Sequence, residues 1–115
     1  MSIIIYHNPR CTKSRQTLQL LEEKGCSPQV IEYLKQAPTV EELTEIIAKL
    51  GISPRQLLRK QEEEFKTEGL ADQGLSDRHI IEAMVRSPKL IERPIVIANG
   101  KAAIGRPPEA VLAIL

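Results

Sequence analysis

The order of segments in the first third of the chain restricts the fold more than any other feature. Ser2–His7 is a short, β-branched apolar run that stops at Asn8-Pro9, which predicts a buried strand followed by a turn. The next stretch, Thr12–Lys24, contains neither Gly nor Pro and places apolar residues at helical spacing. Pro28–Leu34 again has the composition of a strand. Strand, helix and strand of these lengths predict a βαβ unit with parallel strands, and therefore an α/β fold.

The middle of the chain has a helical pattern. Thr39-Val40-Glu41-Glu42 and Ser53-Pro54-Arg55-Gln56 are capping boxes, the second with Pro at the first helical position, and both predict helix starts. Apolar residues then recur at helical spacing after the first box and again around Ile80. The acidic triplet Glu62-Glu63-Glu64 is expected on a solvated helix face. We interpret this block as a helical insertion over about residues 38–88.

The C-terminal part returns to strands. Arg93–Ala98 is strand-like, Asn99-Gly100 is a strong signal for a two-residue hairpin, and Lys101–Ile104 can return antiparallel. Gly105-Arg106-Pro107-Pro108 then opens a last helix. Because the chain has 115 residues, we expect a single domain with a βαβ...ββα core and a mixed sheet.

Composition excludes several classes of protein. The 16 Lys and Arg against 15 Asp and Glu leave a net charge of +1, so no overall field attracts nucleic acid or a membrane surface. Two Tyr, one Phe and no Trp provide no stacking platform for single-stranded nucleic acid. No apolar run approaches the roughly 18 residues of a membrane span, and the N-terminus lacks the pattern of a secretory signal. We therefore expect a cytoplasmic protein with no nucleic-acid or membrane partner.

The first predicted turn carries the candidate nucleophile, Cys11. It lies directly after a strand and directly before a helix, so its sulfur faces the free N–H groups and the positive dipole end of that helix. Four residues of this turn carry or can acquire positive charge: His7, Arg10, Lys13 and Arg15. Cationic neighbours lower the pKa of a cysteine, and helix N-termini bind oxyanions. We predict a nucleophilic thiolate next to an anion-binding site, with His7 as a base, a charge partner or a satisfied strand-end residue.

The turn lacks a second thiol. Ser14 stands where a Cys-x-x-Cys pair would have its second cysteine, so an outside thiol must resolve any oxidised intermediate. Ser is also an ordinary helix-start residue. The phosphatase-type pattern, Cys followed after five residues by Arg, fails because that position is Thr17. The Cys and His residues lack zinc-ligand spacing, so no metal is expected, and we interpret Cys26 as a small loop or core residue.

Three arginines outside the turn are candidate anion ligands. Arg93 stands at the start of one predicted strand and Arg106 at the end of the next, so their guanidinium groups could converge if the two strands are neighbours. The planar fork of an arginine grips tetrahedral oxyanions bidentately. For Arg59, as for the other two, a surface salt bridge is the competing interpretation.

Four ordered segments resemble one known family. His7–Arg15 resembles the His-x3-Cys-x3-Arg motif of the glutaredoxin-coupled arsenate reductases, and Leu57–Lys60, Glu92–Val96 and Gly105-Arg106-Pro107 match the other signature segments of that family. The resemblance covers essentially the whole chain. It implies a thioredoxin-like fold with a helical insertion, in agreement with the pattern above, and it implies an enzyme, an arsenate reductase.

The resemblance also implies roles for residues. Cys11 would attack arsenate or a related oxyanion, with His7 and Ser14 at positions tied to thiolate activation. Substrate contacts would come from Arg59, Arg93, Arg106, Asn8, Thr12, Lys13 and Pro94, the last as a cis-proline. Glutathione would be a co-substrate and glutaredoxin a partner, with no bound cofactor. Two alternatives stay open: a glutathione-dependent thiol-disulfide oxidoreductase of other substrates, and a redox-responsive transcription adaptor, although such adaptors typically carry Cys-x-x-Cys.

Overall fold

A computed structural model describes residues 2–115, which form two compact units. One unit consists of the chain up to Gln36 together with Arg93–Leu115, and the other is Ala37–Glu92. The first unit contains β1 (Ile3–His7), α1 (Thr12–Glu23), β2 (Gln29–Glu32), β3 (Ile95–Ala98), β4 (Lys101–Ile104) and a 3-10 helix (Pro108–Ile114). The second contains α2 (Val40–Leu50), α3 (Pro54–Leu57), α4 (Glu63–Thr67), α5 (Asp77–Arg86) and a 3-10 helix (Pro88–Leu90).

The first unit is built on a four-stranded mixed sheet in the order β2-β1-β3-β4. β1 and β2 are parallel, with His7 opposite Glu32, and α1 connects them as the predicted βαβ unit. β3 runs antiparallel to both β1 and β4. The predicted α/β class with a mixed sheet is confirmed.

The core of the first unit lies between the sheet, α1 and the C-terminal 3-10 helix. Its buried apolar residues are Ile3, Ile5, Leu21, Val96, Ala98, Val111 and Ile114. The buried side of α1 runs through Ser14, Thr17 and Leu21, so Leu18 is only partly buried. Two polar side chains are thus buried near the start of α1. Cys26 packs against the same core, as predicted for a small core residue.

The predicted hairpin at Asn99-Gly100 joins β3 to β4. Asn99 has φ of 55° and Gly100 has φ of 72°, the left-handed values of a turn that matches the twist of the strands. Because the two strands pair closely, Arg93, two residues before β3, and Arg106, two residues after β4, lie at the same end of the hairpin. The N–H of Gly105 donates to the Pro94 carbonyl at 2.9 Å there.

The second unit is helical and contains the predicted insertion. The capping box of α2 forms as expected, since Thr39 Oγ1 accepts from the Glu42 N–H at 3.1 Å and Glu42 Oε1 accepts from the Thr39 N–H at 2.9 Å. α3 is only four residues long because Leu58 leaves the helix to form a β-bridge with Ile91. Within residues 2–115, no helix has the length and apolar character required to cross a membrane.

Candidate active site

Cys11 is the N-cap residue of α1 and has extended backbone geometry. Its N–H donates to the Asn8 carbonyl at 3.0 Å, and Asn8 Oδ1 accepts from the Arg10 N–H at 3.0 Å, so the turn from β1 into α1 is tight. The residue is 7% exposed. The sulfur therefore lies at the start of a helix in a largely buried position.

Three groups donate hydrogen bonds to the Cys11 sulfur. The backbone N–H of Ser14 and the guanidinium of Arg93 are two of them. The third is Nη2 of Arg106, which lies 3.5 Å from Sγ, while Nε of Arg106 donates to the Arg93 carbonyl at 2.8 Å. The β3–β4 hairpin thus brings both arginines to the sulfur, with the geometry that adjacent strands were expected to give.

These donors determine the charge of the sulfur. Burial is the largest influence on the pKa of Cys11 and raises it, because a thiolate loses solvation. The hydrogen bonds from Ser14 and Arg93 and the positive charges of Arg93 and Arg106 act in the opposite direction and together outweigh burial. The pKa of Cys11 is therefore lower than the ordinary value of a thiol, and the thiolate is favoured.

The cations that lower this pKa are not the ones that the sequence suggested. Arg10, Lys13 and Arg15 are exposed, and Arg15 donates to the Pro9 carbonyl at 3.0 Å. Because α1 begins at Thr12, Ser14 lies on its buried side. The neighbouring side chains of Lys13 and Arg15 project into solvent. Two distant arginines supply the charge instead. The predicted low pKa agrees with the structure, as does the expected contribution of the N–H groups at the start of α1, whereas the expected contribution of the nearby cations was wrong.

His7 reaches the site through Ser14. Nδ1 of His7 lies 2.7 Å from Oγ of Ser14, and the same oxygen accepts from the Asn8 N–H at 3.0 Å. Burial lowers the pKa of His7, the Glu32 carboxylate opposes this, and the charge of Arg15 adds to it. The neutral ring is therefore favoured near pH 7, and the tautomer of this ring sets which of Nδ1 and the Ser14 hydroxyl donates in their hydrogen bond. This bond fixes Ser14 in the first turn of α1, and the backbone N–H of Ser14 donates to the Cys11 sulfur.

Gly105 closely approaches both Thr17 of α1 and Pro94. A Cβ atom at Gly105 would overlap the Thr17 hydroxyl and would lie 2.8 Å from Cγ of Pro94. The Arg93–Pro94 peptide bond is cis, as the resemblance implied, and the Arg106–Pro107 bond is also cis. Glycine is therefore required immediately before Arg106 because the backbone there passes against the buried side of α1.

Thr12 and Lys13 occupy the exposed start of α1. Oγ1 of Thr12 accepts from Arg15 Nη2 at 3.2 Å, and the Lys13 carbonyl accepts from the Thr17 hydroxyl at 2.8 Å. The Lys13 side chain and Pro107 line an open groove of about 360 Å³ that continues along α1 to Glu23. Among the residues that the structure describes, no cluster of three His, Cys, Asp or Glu could hold a metal ion.

Arg59 belongs to the second unit, where it is paired with two carboxylates. Its Nε donates to Glu62 at 3.2 Å and its Nη1 donates to Glu92 at 2.7 Å. Glu62 was expected on a solvated helix face, but it precedes α4 and turns toward the buried guanidinium. Sequence reasoning missed Glu62 and Glu92. The sequence analysis allowed a salt bridge for Arg59, but no spacing rule identified its two carboxylate partners.

The sheet, the N-cap cysteine and the converging arginines define a class of small α/β proteins with a thioredoxin-like fold and a buried thiol beside two arginines at a helix N-terminus. The ArsC family model matches residues 6–114, and the chain belongs to the ArsC family.

Several relatives and solved structures support this assignment. The chain is 51% identical to an arsenate reductase of Haemophilus influenzae, with all of both chains covered. It is 54% identical to the uncharacterized protein YfgD of Escherichia coli K12, covering 96% of this chain and 94% of that protein. The solved structure of an arsenate reductase from Vibrio cholerae superposes with a TM-score of 0.97 at 54% identity, covering 100% of this chain and 98% of that chain.

Proposed function

We propose that this chain is an arsenate reductase that uses Cys11 as its nucleophile and glutathione and glutaredoxin as its reductants. The observation that supports it most is the convergence of Arg93 and Arg106 on the Cys11 sulfur. This arrangement occurs in a chain whose relatives include proteins named arsenate reductase. Because free thiols persist in a reducing compartment, we also propose a cytoplasmic location.

The first step joins arsenate to the enzyme. The Cys11 thiolate attacks arsenic and forms an S–As bond, and one arsenate oxygen leaves as water after protonation. Arsenic is still As(V) at this stage. The guanidinium groups of Arg93 and Arg106 stabilise the negative oxygens, because their N–H groups bind a tetrahedral oxyanion in a bidentate manner.

The second step is the reduction. Conversion of As(V) to As(III) takes two electrons, which two thiols supply when they form a disulfide. Since Ser14 replaces a second thiol in the turn, the second thiol is glutathione, which attacks the adduct, leaves a mixed disulfide on Cys11 and releases arsenite. A glutaredoxin thiol then takes up the glutathione and regenerates Cys11. The groove lined by Lys13 and Pro107 provides open space for a small thiol beside this turn.

The test is a coupled assay with the protein, arsenate, glutathione, glutaredoxin and its reducing system. We expect arsenate-dependent turnover that Cys11→Ser abolishes and that the matched Cys26→Ser variant retains. Turnover no faster than without the protein, or a Cys11→Ser variant with the native rate, would contradict the proposal. A mixed disulfide of Cys11 with glutathione in the absence of arsenate turnover would favour the oxidoreductase of other thiol substrates instead.

A further inference from the structure

Asn8 is bonded to three residues of the turn that carries the nucleophile. Its carbonyl accepts from the Cys11 N–H, its amide Oδ1 accepts from the Arg10 N–H, and its own N–H donates to Oγ of Ser14, each at 3.0 Å. We propose that Asn8 is a positioning residue, whose side chain and backbone fix the Cys11 sulfur against the N–H of Ser14. The inference rests on the proposed function in one respect, the role of Cys11 as the nucleophile.

The first two bonds close the turn that follows β1. The bond from the Cys11 N–H to the Asn8 carbonyl spans four residues, as in a β-turn, and Pro9 occupies the position of such a turn at which proline is favoured. The bond from the Arg10 N–H to Oδ1 of Asn8 adds an Asx turn within it. Because the two bonds close different rings of the same backbone, they restrict the path of the chain into Cys11.

The third bond connects this turn to α1. Oγ of Ser14 accepts from the Asn8 N–H, and the backbone N–H of the same serine donates to the Cys11 sulfur. Asn8 is therefore bonded both to the residue that carries the sulfur and to the residue that carries one of the sulfur's donors. A hydrogen bond weakens steeply as its geometry worsens, and bonds to charged acceptors are the strong ones. A displacement of this turn should therefore reduce the stabilisation of the thiolate.

The positioning role differs from the substrate contact that the resemblance implied for Asn8. A substrate contact would use the Nδ2 donors of the amide, since an oxyanion accepts hydrogen bonds. The turn uses the Oδ1 acceptor instead, which is identified by its partner, because the backbone N–H of Arg10 can only donate. A variant that removes this acceptor therefore separates the two roles when it is studied without an oxyanion.

The test compares Asn8→Ala with Asn8→Ser in a Cys26→Ser background, in which only Cys11 can be alkylated. The alanine variant has no side-chain acceptor, whereas a serine hydroxyl forms the same kind of turn more weakly. We measure the rate of alkylation by iodoacetamide as a function of pH without an oxyanion. Asn8→Ala should raise the midpoint of this profile and lower the rate below the midpoint about 2- to 10-fold, as expected for loss of one neutral hydrogen bond. Asn8→Ser should give a smaller change in the same direction.

Two controls separate positioning from effects on stability and on anion binding. Arg10→Ala removes an exposed side chain but keeps the backbone N–H that bonds to Asn8, so its midpoint should equal that of the background protein. Loss of stability alone would have the opposite effect on the rate, because Cys11 is 7% exposed and a loosened structure would expose its sulfur to the reagent. The concentration of inorganic phosphate that protects Cys11 from alkylation should stay close to the native value in Asn8→Ala.

An unchanged or lowered midpoint in Asn8→Ala, or an equal rise in Arg10→Ala, would overturn the inference. So would an unchanged alkylation profile together with a higher protecting concentration of phosphate, which is the result expected of a substrate contact. If Asn8→Ala does not fold, the midpoint of Asn8→Ser decides in the same way. If the native protein does not reduce arsenate, the proposed function fails, whereas the alkylation profile still decides whether Asn8 positions the sulfur.

Discussion

Cys11 combines burial, which opposes a charge, with donors that favour one. The donors come from three places in the chain: the first turn of α1, Arg93 two residues before β3 and Arg106 two residues after β4. Each acts on the thiolate more strongly than on the thiol, because only the thiolate carries a full negative charge. The reactivity of the residue is thus a property of its neighbours.

We expect Arg106→Ala to raise the pKa of Cys11, because the variant loses a positive charge and a donor 3.5 Å from the sulfur. The rate of alkylation by iodoacetamide as a function of pH measures this pKa. The native midpoint should lie below the ~8.5 of a free thiol, and the midpoint of the variant should lie above the native one. Arg10→Ala is the matched control, since Arg10 is an exposed arginine of the same turn. Equal changes of the Cys11 pKa in Arg106→Ala and Arg10→Ala would contradict the conclusion that Arg106 specifically lowers this pKa.

Gly105→Ala should destabilise the protein and slow its reaction. The new methyl group would overlap the Thr17 hydroxyl and press against Pro94, which displaces the backbone just before Arg106. We expect a loss of about 1–3 kcal/mol in the free energy of unfolding, as for other overpacked sites, together with a higher Cys11 pKa. Urea denaturation and the alkylation profile measure the two effects. Thr17→Ala should partly restore stability in the double variant. A Gly105→Ala variant with the native free energy of unfolding would show that the close approach does not require glycine at this position.

Among the elements, the β3–β4 hairpin has the most direct effect on the site. Its two-residue turn fixes the pairing of the strands, and this pairing places Arg93 and Arg106 at one end. α1 contributes at its N-terminus, where Ser14 is fixed by His7. The position of the site is therefore determined by where elements begin and end.

The capping box of α2 allows a test at the level of an element. Thr39→Ala removes the acceptor for the Glu42 N–H, and we expect the free energy of unfolding to fall by about 1 kcal/mol in urea denaturation. Thr44→Ala is the matched control, because the Thr44 hydroxyl is exposed and donates to the Val40 carbonyl of the same helix. That change should be neutral or slightly stabilising. Equal losses in both variants would mean that the cap does not contribute.

At the scale of the whole molecule, the features that the sequence predicted are those determined by residues close together in the chain. The capping box at Thr39, the hairpin at Asn99-Gly100 and the helix that follows Cys11 each depend on residues a few positions apart, and each is present in the structure. The α/β class followed from the predicted strand, helix and strand at the start of the chain, because segments of such lengths have few ways to pack. The resemblance added the thioredoxin-like arrangement.

Contacts between distant parts of the chain could not be predicted in this way. Glu92 pairs with Arg59 across 33 positions, and no spacing rule connects them. The acidic triplet looked solvated because an isolated segment does not reveal that a buried guanidinium lies beside Glu62. Likewise, Lys13 and Arg15 were closer to Cys11 in sequence than Arg93 and Arg106, but the rotation of α1 turns them outward.

Anion binding should stabilise the folded chain. A ligand that binds only the native state at ten times its dissociation constant adds about 1.4 kcal/mol to the free energy of unfolding, which corresponds to a rise of a few degrees in Tm. We expect this rise with arsenate in a Cys11→Ser background, where no covalent adduct forms. Arg106→Ala should reduce it, whereas Lys101→Ala, an exposed cation at the start of β4, should not. The same Tm rise in all three proteins would indicate nonspecific stabilisation by salt.

The separation of Arg106 from Cys11, 95 positions along the chain, has a consequence during synthesis. The cysteine leaves the ribosome well before the two arginines that lower its pKa, since Arg106 follows it by 95 positions. We expect a nascent chain that has not yet reached Arg93 to hold this sulfur without the two guanidinium charges that lower its pKa. That contribution to the low pKa then begins when β3 and β4 pair and bring both arginines to the sulfur.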